Sequence, residues 1–328
     1  MRRFSQAALG AAMAMLVAGG AAAAELKLSH QWSTGDMRHQ VAQLLADEVA
    51  AADVDLTIKI YPSASLFKAT EQYRPLSRGQ LDMTVLPLSY AGGQQPAYNL
   101  TLMPGLVKSH DHWARLVESP FMDELERIMA SDDVLPLVHG YLAGGFGAKG
   151  GCITAPADVA GKQIRAAGKS FEQMLAAAGA SITSMASSEI YTAMQTGVLN
   201  AAMTSSESFV SYRLFEQVDC FTAPGEVALW FMYQPVLINK TTFEELTAAQ
   251  REALRTASAK AQAFYLEEAK KADMAAAAAF QEAGVKVVEM TQADFDAWRE
   301  VASKSSFAAF AEEAPEAVPL LDLALKVE

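Results

Sequence analysis

Apolar positions along this chain switch between two spacings. Residues 26–30 (Leu-Lys-Leu-Ser-His) and 56–61 (Leu-Thr-Ile-Lys-Ile-Tyr) alternate with period two, the pattern of strands with one buried face. Between them, residues 37–51 form a helical stretch, and residues 68–78 predict a second helix closed by Gly79. Met83-Thr84-Val85-Leu86 then reads as a buried strand stopped by Pro87. This β-α-β-α-β order implies a parallel sheet with right-handed crossovers. Ligands on such sheets bind beyond the carboxyl ends of the strands. Here those ends are residues 30–32, 62–67 and 87–90.

A second unit repeats the order. Residues 162–166 predict a strand, 171–178 a helix closed by Gly179, and 181–185 another strand. Ser187 or Ser188 caps a helix that runs to Gln195 and stops at Gly197. Residues 200–204 form the third strand, with its carboxyl end at Thr204-Ser205-Ser206. Residues 232–239 follow as an apolar strand interrupted by Pro235, which marks an edge or a bend. Thr247 and Gln250 have the form of a capping box, and no Pro or Gly appears again before Gly284. About 36 helical residues at 1.5 Å each would span roughly 54 Å, enough for a stiff spine across two lobes. Two helices broken near Lys270-Lys271 are the alternative. Residues 285–288 return as a strand, and a terminal helix over 291–311 carries Phe295 and Trp298. The fold class is therefore α/β with two lobes.

The first residues change the picture of where the chain works. Arg2 and Arg3 precede an apolar run from Ala7 to Ala18, and Ala22-Ala23-Ala24 precedes Glu25. Residues 1–24 thus read as an export signal, with a retained anchor as the other reading. The arginine pair leaves the twin-arginine route open beside the general one. The formal charge of −12 argues against nucleic acid or an anionic membrane as partner, and requires any anion site to be local. Cys152 and Cys220 either pair or stay as buried thiols.

Several chemistries lack their residues. The chain has no G-x-S-x-G elbow, Walker loop or H-E-x-x-H, and its five histidines are scattered rather than set at metal-ligand spacing. No metal or cofactor is expected. The glycine-rich run over 144–151 lacks the G-K-[ST] ending and reads as a flexible crossing between lobes. What remains at strand ends is Trp32, Phe67, Tyr90, Arg165, Thr204 and Ser205, with His30 and Trp230 nearby. Apolar walls, a few directed polar groups and one charge compose a small-molecule pocket. The aromatics are equally suited to core packing, and His30 to a structural hydrogen bond. Arg165, at the end of its strand, suits a carboxylate ligand or an ion pair with Glu189 or Glu207.

Residues 158–165 (Asp-Val-Ala-Gly-Lys-Gln-Ile-Arg) resemble the aspartate-leucine-x-glycine-x-lysine-isoleucine-arginine run of the solute-binding proteins of tripartite ATP-independent periplasmic (TRAP) transporters, with the lysine displaced by one. Glu189 to Gly197 resembles the family's glutamate-x-tyrosine-x-alanine-leucine-glutamine-x-glycine run, and Tyr61-Pro62, Leu66, residues 79–82 and Leu102-Met103-Pro104 also look like it. The resemblance covers essentially the whole mature chain. It implies a Venus-flytrap fold with crossing strands and a long lobe-spanning helix. Lobe I would hold residues 25–142 and 231–268, lobe II 143–230 and 269–311, with a tail over 312–328. The family's arginine, at Arg165 here, would grip the carboxylate of an organic acid as the lobes close in the periplasm. The partners implied are a large and a small membrane subunit, with no membrane insertion once the signal is removed.

Departures from the family bear on the ligand. The second arginine of sialate binders aligns within Gly144-Gly145-Phe146 and is absent, and Asn200 to Ser205 puts hydroxyls where many members carry an asparagine amide. One cation among aromatics suggests a monocarboxylate. A small dicarboxylate, with His30 or Lys68 at its far end, stays open. So do a sensory binding protein and an enzyme on a similar scaffold, the latter lacking any nucleophile–base pair in the sequence.

Overall fold

The computed structural model describes residues 24–328. The export signal read over residues 1–24 lies, apart from Ala24, outside the described residues. Two sheets organise the rest. The strands in chain order are β1 (Ala24–Ser29), β2 (Leu56–Tyr61), β3 (Met83–Val85), β4 (Val134–Val138), β5 (Tyr141–Ala148), β6 (Gln163–Ala166), β7 (Ser181–Ser184), β8 (Ala201–Ser205), β9 (Cys220–Ala223), β10 (Trp230–Tyr233), β11 (Val236–Asn239) and β12 (Lys286–Glu289). The first sheet has the order β2-β1-β3-β11-β4; the second runs β12-β9-β5-β8-β6-β7, with β10 paired to β5.

The parallel pairings follow the expected β-α-β units: β1 lies between β2 and β3, and β6 between β7 and β8. The helix Met37–Ala51 packs Val41, Ala42, Leu45 and Val49 into the core beside the first sheet. The helix expected over 68–78 is shorter. A 3-10 turn, Ala69–Glu71, precedes a helix of Tyr73–Ser77. Pro75 explains the shortening, since proline is tolerated only in a first helical turn.

The apolar run over 232–239 is two strands in two sheets. Tyr233 pairs with Tyr141 in the second sheet, while Val236 pairs with Val85 and Val138 in the first. Pro235 is the bend between them. The chain also crosses between Val138 and Tyr141, through His139-Gly140, and a third time from β11 to β12 by way of the long helix. The Gln234 N–H donates to the Gly140 carbonyl at 2.7 Å, so the first two crossings lie side by side.

That position corrects the reading of the glycine-rich run. Residues 144–148 of that run are not a flexible crossing but part of β5, buried throughout and inside its sheet, and residues 149–151 form a bend after it. A Cβ on Gly144 would stand 2.0 Å from the Thr204 carbonyl oxygen, and one on Gly145 would stand 1.8 Å from that of Thr222. Glycine is there because neighbouring backbone comes too close for any side chain.

The long helix is continuous over Ala248–Glu282, so no break occurs near Lys270-Lys271. The Thr247 hydroxyl accepts from Gln250 N, and the Gln250 side chain accepts from Thr247 N, the reciprocal pattern of a capping box. Leu254, Ala257, Ala261, Tyr265, Ala269 and Ala272 pack in the core of the first sheet, and Ala276 and Phe280 in that of the second. One helix thus fastens to both lobes. The terminal helix divides into Gln292–Ala302, a π-helical turn Ser303–Phe307 and Ala308–Glu313. Within residues 312–328 a further helix, Val318–Leu325, buries Leu320, Leu321 and Ala324 in the core that holds Phe121 and Leu125. Cys152 and Cys220 form a disulfide.

Candidate functional site

The loops and strand ends of the two sheets meet around a small cavity, nearly filled by its own lining. Tyr90 comes from the turn after β3, Arg165 from β6, Thr204 and Ser205 from the end of β8, and Trp230 from β10; all five line the space. Strand-end reasoning therefore brings five of its eight candidates together.

Arg165 is 0% exposed. Its Nε donates to the Met185 carbonyl at 3.0 Å, Nη1 to the Met203 carbonyl at 2.7 Å, and Nη2 to the Tyr90 hydroxyl at 3.0 Å. A guanidinium has five N–H groups, so three such bonds leave two. All three acceptors are neutral. Among the described residues no carboxylate pairs with it: Glu189 accepts from Ala186 N and Glu207 from Met37 N. A buried cation without an anion is costly, and two free N–H groups on a planar fork match the two oxygens of a carboxylate.

A second buried cation was not anticipated. Arg38 lies over the Trp32 ring at 4.0 Å and binds Asp36 through Nε at 2.7 Å and Nη2 at 2.6 Å. It also reaches Gln234 Oε1 at 2.9 Å and the Ser208 hydroxyl at 3.0 Å. Its charge is therefore balanced within the protein. The sequence did hold a signal for it: Arg38 shares the inward stripe of its helix with Val41, Ala42 and Leu45. A cation on an apolar stripe has to find a partner in the interior. Gln234, Ser187 and Ser208 were missed as well, because they lie at a crossing or in helical turns rather than at strand ends.

Two further donors point to what is wanted. Trp230 Nε1 and Gln234 Nε2 are buried without a hydrogen-bond partner, and both residues line the cavity. Buried N–H groups are rarely left unpaired. One unbalanced cation and two orphan donors suit a ligand rich in acceptors. Ser205 is less free than its place suggests. Its Oγ accepts from Ser208 N at 3.1 Å, capping the helix Ser206–Ser211.

The other three candidates do not line this cavity. His30 is turned to His39, its Nε2 3.1 Å from His39 Nδ1, and its Nδ1 accepts from Trp32 N at 3.2 Å. Burial, and then the neighbouring His39, push the His30 imidazole down to about 4, so it is neutral near pH 7. Trp32 covers Arg38. Phe67 is half-buried, and its carbonyl accepts from Gln72 Nε2 at 3.4 Å. Lys68 is exposed and lies 3.6 Å from Glu71.

Contacts between the two sheets seal the cavity. The Tyr90 hydroxyl receives both Arg165 Nη2 and the Ser187 N–H, the latter at 3.2 Å, and the Ser187 hydroxyl donates to Gln31 Oε1 at 3.4 Å. The lobes are closed on one another. Among the described residues no group of His, Cys, Asp and Glu is placed to hold a metal, and no helix is long and apolar enough to cross a membrane.

Comparison with known proteins adds a context. The sequence profile of the bacterial extracellular solute-binding proteins of family 7 matches residues 28–313. A solute-binding protein of Albidiferax ferrireducens is 38% identical over 288 residues, covering 86% of this chain and 85% of its own. The sialic acid-binding periplasmic protein SiaP of Vibrio cholerae is 23% identical over 282 residues, 85% of this chain and 86% of its own. Among solved structures, a TRAP periplasmic solute-binding protein from Rhodoferax ferrireducens with bound malonate is 37% identical, with a TM-score of 0.89 over 92% of this chain and 98% of that one. One from Roseobacter denitrificans with bound β-D-glucuronate has a TM-score of 0.85 at 23% identity, over 93% of this chain and 100% of that one, and shares the fold.

Proposed function

Since the chain belongs to the family 7 extracellular solute-binding proteins, the solute-binding proteins of TRAP transporters, we propose that it captures a small organic acid between its lobes, with Arg165 gripping the carboxylate. The family is one of binding proteins, not enzymes. The observation that carries the ligand class is the bare charge of Arg165: fully buried, held by neutral acceptors, with two N–H groups left. Arg38 is balanced by Asp36, which leaves Arg165 as the cation without an anionic partner among the residues lining the cavity. A carbonyl or second carboxyl oxygen would satisfy the orphan donors of Trp230 and Gln234. The closed lobes leave a free volume of only about 10 Å³, room for about one water molecule. The acid is accordingly short, in keeping with the malonate held by the Rhodoferax relative.

Capture proceeds by hinge closure of lobe I (residues 25–142 and 231–268) on lobe II (143–230 and 269–311), and the closed form is what the large and small TRAP membrane subunits receive. The setting is the periplasm. The Cys152–Cys220 disulfide supports an oxidising compartment. A thermal-shift screen of short organic acids, followed by calorimetry, tests the reading. Saturable binding of at least one short carboxylate is expected. Binding confined to neutral or cationic solutes would overturn it.

A further inference from the structure

Tyr90 stands between two spaces. On one side is the small inner cavity holding Arg165; on the other is an outer cleft of about 500 Å³ edged by the exposed residues Thr70 and Lys169. Only Tyr90 and Ala167 line both. Ala167 has little side chain to offer, so the phenol is the partition.

The partition is held at both ends. Tyr90 sits in the 3-10 turn Leu88–Ala91, its N–H donating to the Pro87 carbonyl at 2.9 Å. Its hydroxyl is fixed by Arg165 Nη2 at 3.0 Å and Ser187 N at 3.2 Å, both from the opposite lobe. The remaining walls have no such freedom. Trp230 and Met232 belong to a strand paired along β5, and Arg38 is locked by Asp36. An acid too long for the inner cavity has one way to extend, past the ring of Tyr90 into the outer cleft.

We propose that Tyr90 sets the maximum length of the acid this protein accepts: its ring closes the inner cavity, and its hydroxyl fixes the ring against Arg165. The inference rests on the carboxylate reading of the site. It makes Tyr90 a specificity-determining residue contributed by the lobe opposite the clamp, and it assigns the outer cleft as latent room for ligand.

Calorimetry with the full chain and unbranched monocarboxylates from acetate to octanoate tests it. The wild type binds the shorter acids and stops at a limiting chain length. Tyr90→Ala moves that limit to longer acids, and Tyr90→Leu, which keeps more of the apolar packing, moves it in the same direction. Tyr90→Phe keeps the limit, while losing the two hydrogen bonds its hydroxyl accepts, each worth about two- to tenfold in affinity. Circular dichroism reports whether each variant folds, and Tyr90→Leu decides the matter if Tyr90→Ala does not. Folded variants that bind short acids with the wild-type limit would overturn the role of Tyr90 and leave the carboxylate reading in place. Folded Tyr90→Ala and Tyr90→Leu proteins that bind no acid would also overturn it, by making Tyr90 part of the grip rather than a wall. A wild type that binds none of these monocarboxylates would overturn the length limit, and the carboxylate reading stands or falls separately on the screen of short organic acids.

Discussion

Arg165 Nη2 lies 3.0 Å from the Tyr90 hydroxyl, and the two side chains come from different lobes. The proposed clamp for the ligand is thus also a point where the lobes touch. Arg165→Ala should leave the fold intact and weaken carboxylate binding by about 2–5 kcal/mol, or roughly 30-fold to several thousand-fold. Arg165→Lys should recover little of this, because a point charge cannot replace a planar fork. Calorimetry with an acid that binds the wild type checks both, and wild-type affinity in the alanine variant would remove Arg165 from the site.

Asp36→Asn should be among the most destabilising conservative changes in the chain. Asparagine still caps the helix Met37–Ala51, so the loss isolates the charge. Arg38, buried and reaching Asp36 at 2.6 Å, would be left without its anion. Breaking a buried pair from one side costs about 3–5 kcal/mol. The midpoint of urea unfolding measures it, and a shift worth less than about 1 kcal/mol would mean that Arg38 behaves as a surface cation.

Unfolding free energy should rise with pH on the acid side of neutrality. His30 is held at about 4 by burial and then by His39, against 6.5 in the unfolded chain, with Asp36 and Arg38 as its other charged neighbours. Above pH 6.5 both states are neutral at this site and the contribution is whole. As the pH falls toward 4 the unfolded chain takes up the proton and the folded one does not. The stability lost is on the order of 3 kcal/mol. Burial depresses His39 and His112 in the same sense. Urea unfolding across pH 4 to 7, repeated with His30→Gln, should show a slope that flattens in the variant; an unchanged slope would place the titration elsewhere.

The Cys152–Cys220 bond closes 68 residues, all around the second sheet. A loop of this length restricts the unfolded chain by roughly 4 kcal/mol on the chain-entropy account. Replacing both cysteines by alanine should lower stability by up to that amount and leave ligand affinity unchanged, since neither residue lines the cavity. Paired unfolding and calorimetric measurements separate the two effects, and a loss of affinity at full folding would count against the independence of bond and site.

The sequence was most legible where one pattern permits one structure. Period-two alternation placed β1 and β2, and the absence of Gly and Pro placed the long helix. Glycine misled in β5 because it serves both loose loops and very close backbones, and only the neighbouring strands at Thr204 and Thr222 decide which. Strand-end position found the neighbourhood of the site but not the direction of each side chain. His30, near the carboxyl end of β1, turns to its own lobe, whereas Tyr90, in the turn after β3, reaches Arg165. Arg38 escaped because it reaches the cavity from the first turn of a helix rather than from a strand end.

The chain passes from one sheet to the other through His139-Gly140 and through Gln234-Pro235, and these passages are bonded to each other. The ring of Tyr265 fills the place a Gly140 side chain would need, and its hydroxyl donates to the Gln234 carbonyl at 3.3 Å. These two pinned backbones, with the long helix as a third connection, would confine any swing of the lobes to a narrow range of directions. The ligand then sets how far the swing goes, and the pinned backbones set its direction. Acids of different size would then stop the swing at different points along one path, and the outer surface met by whatever awaits the closed protein would vary with its cargo.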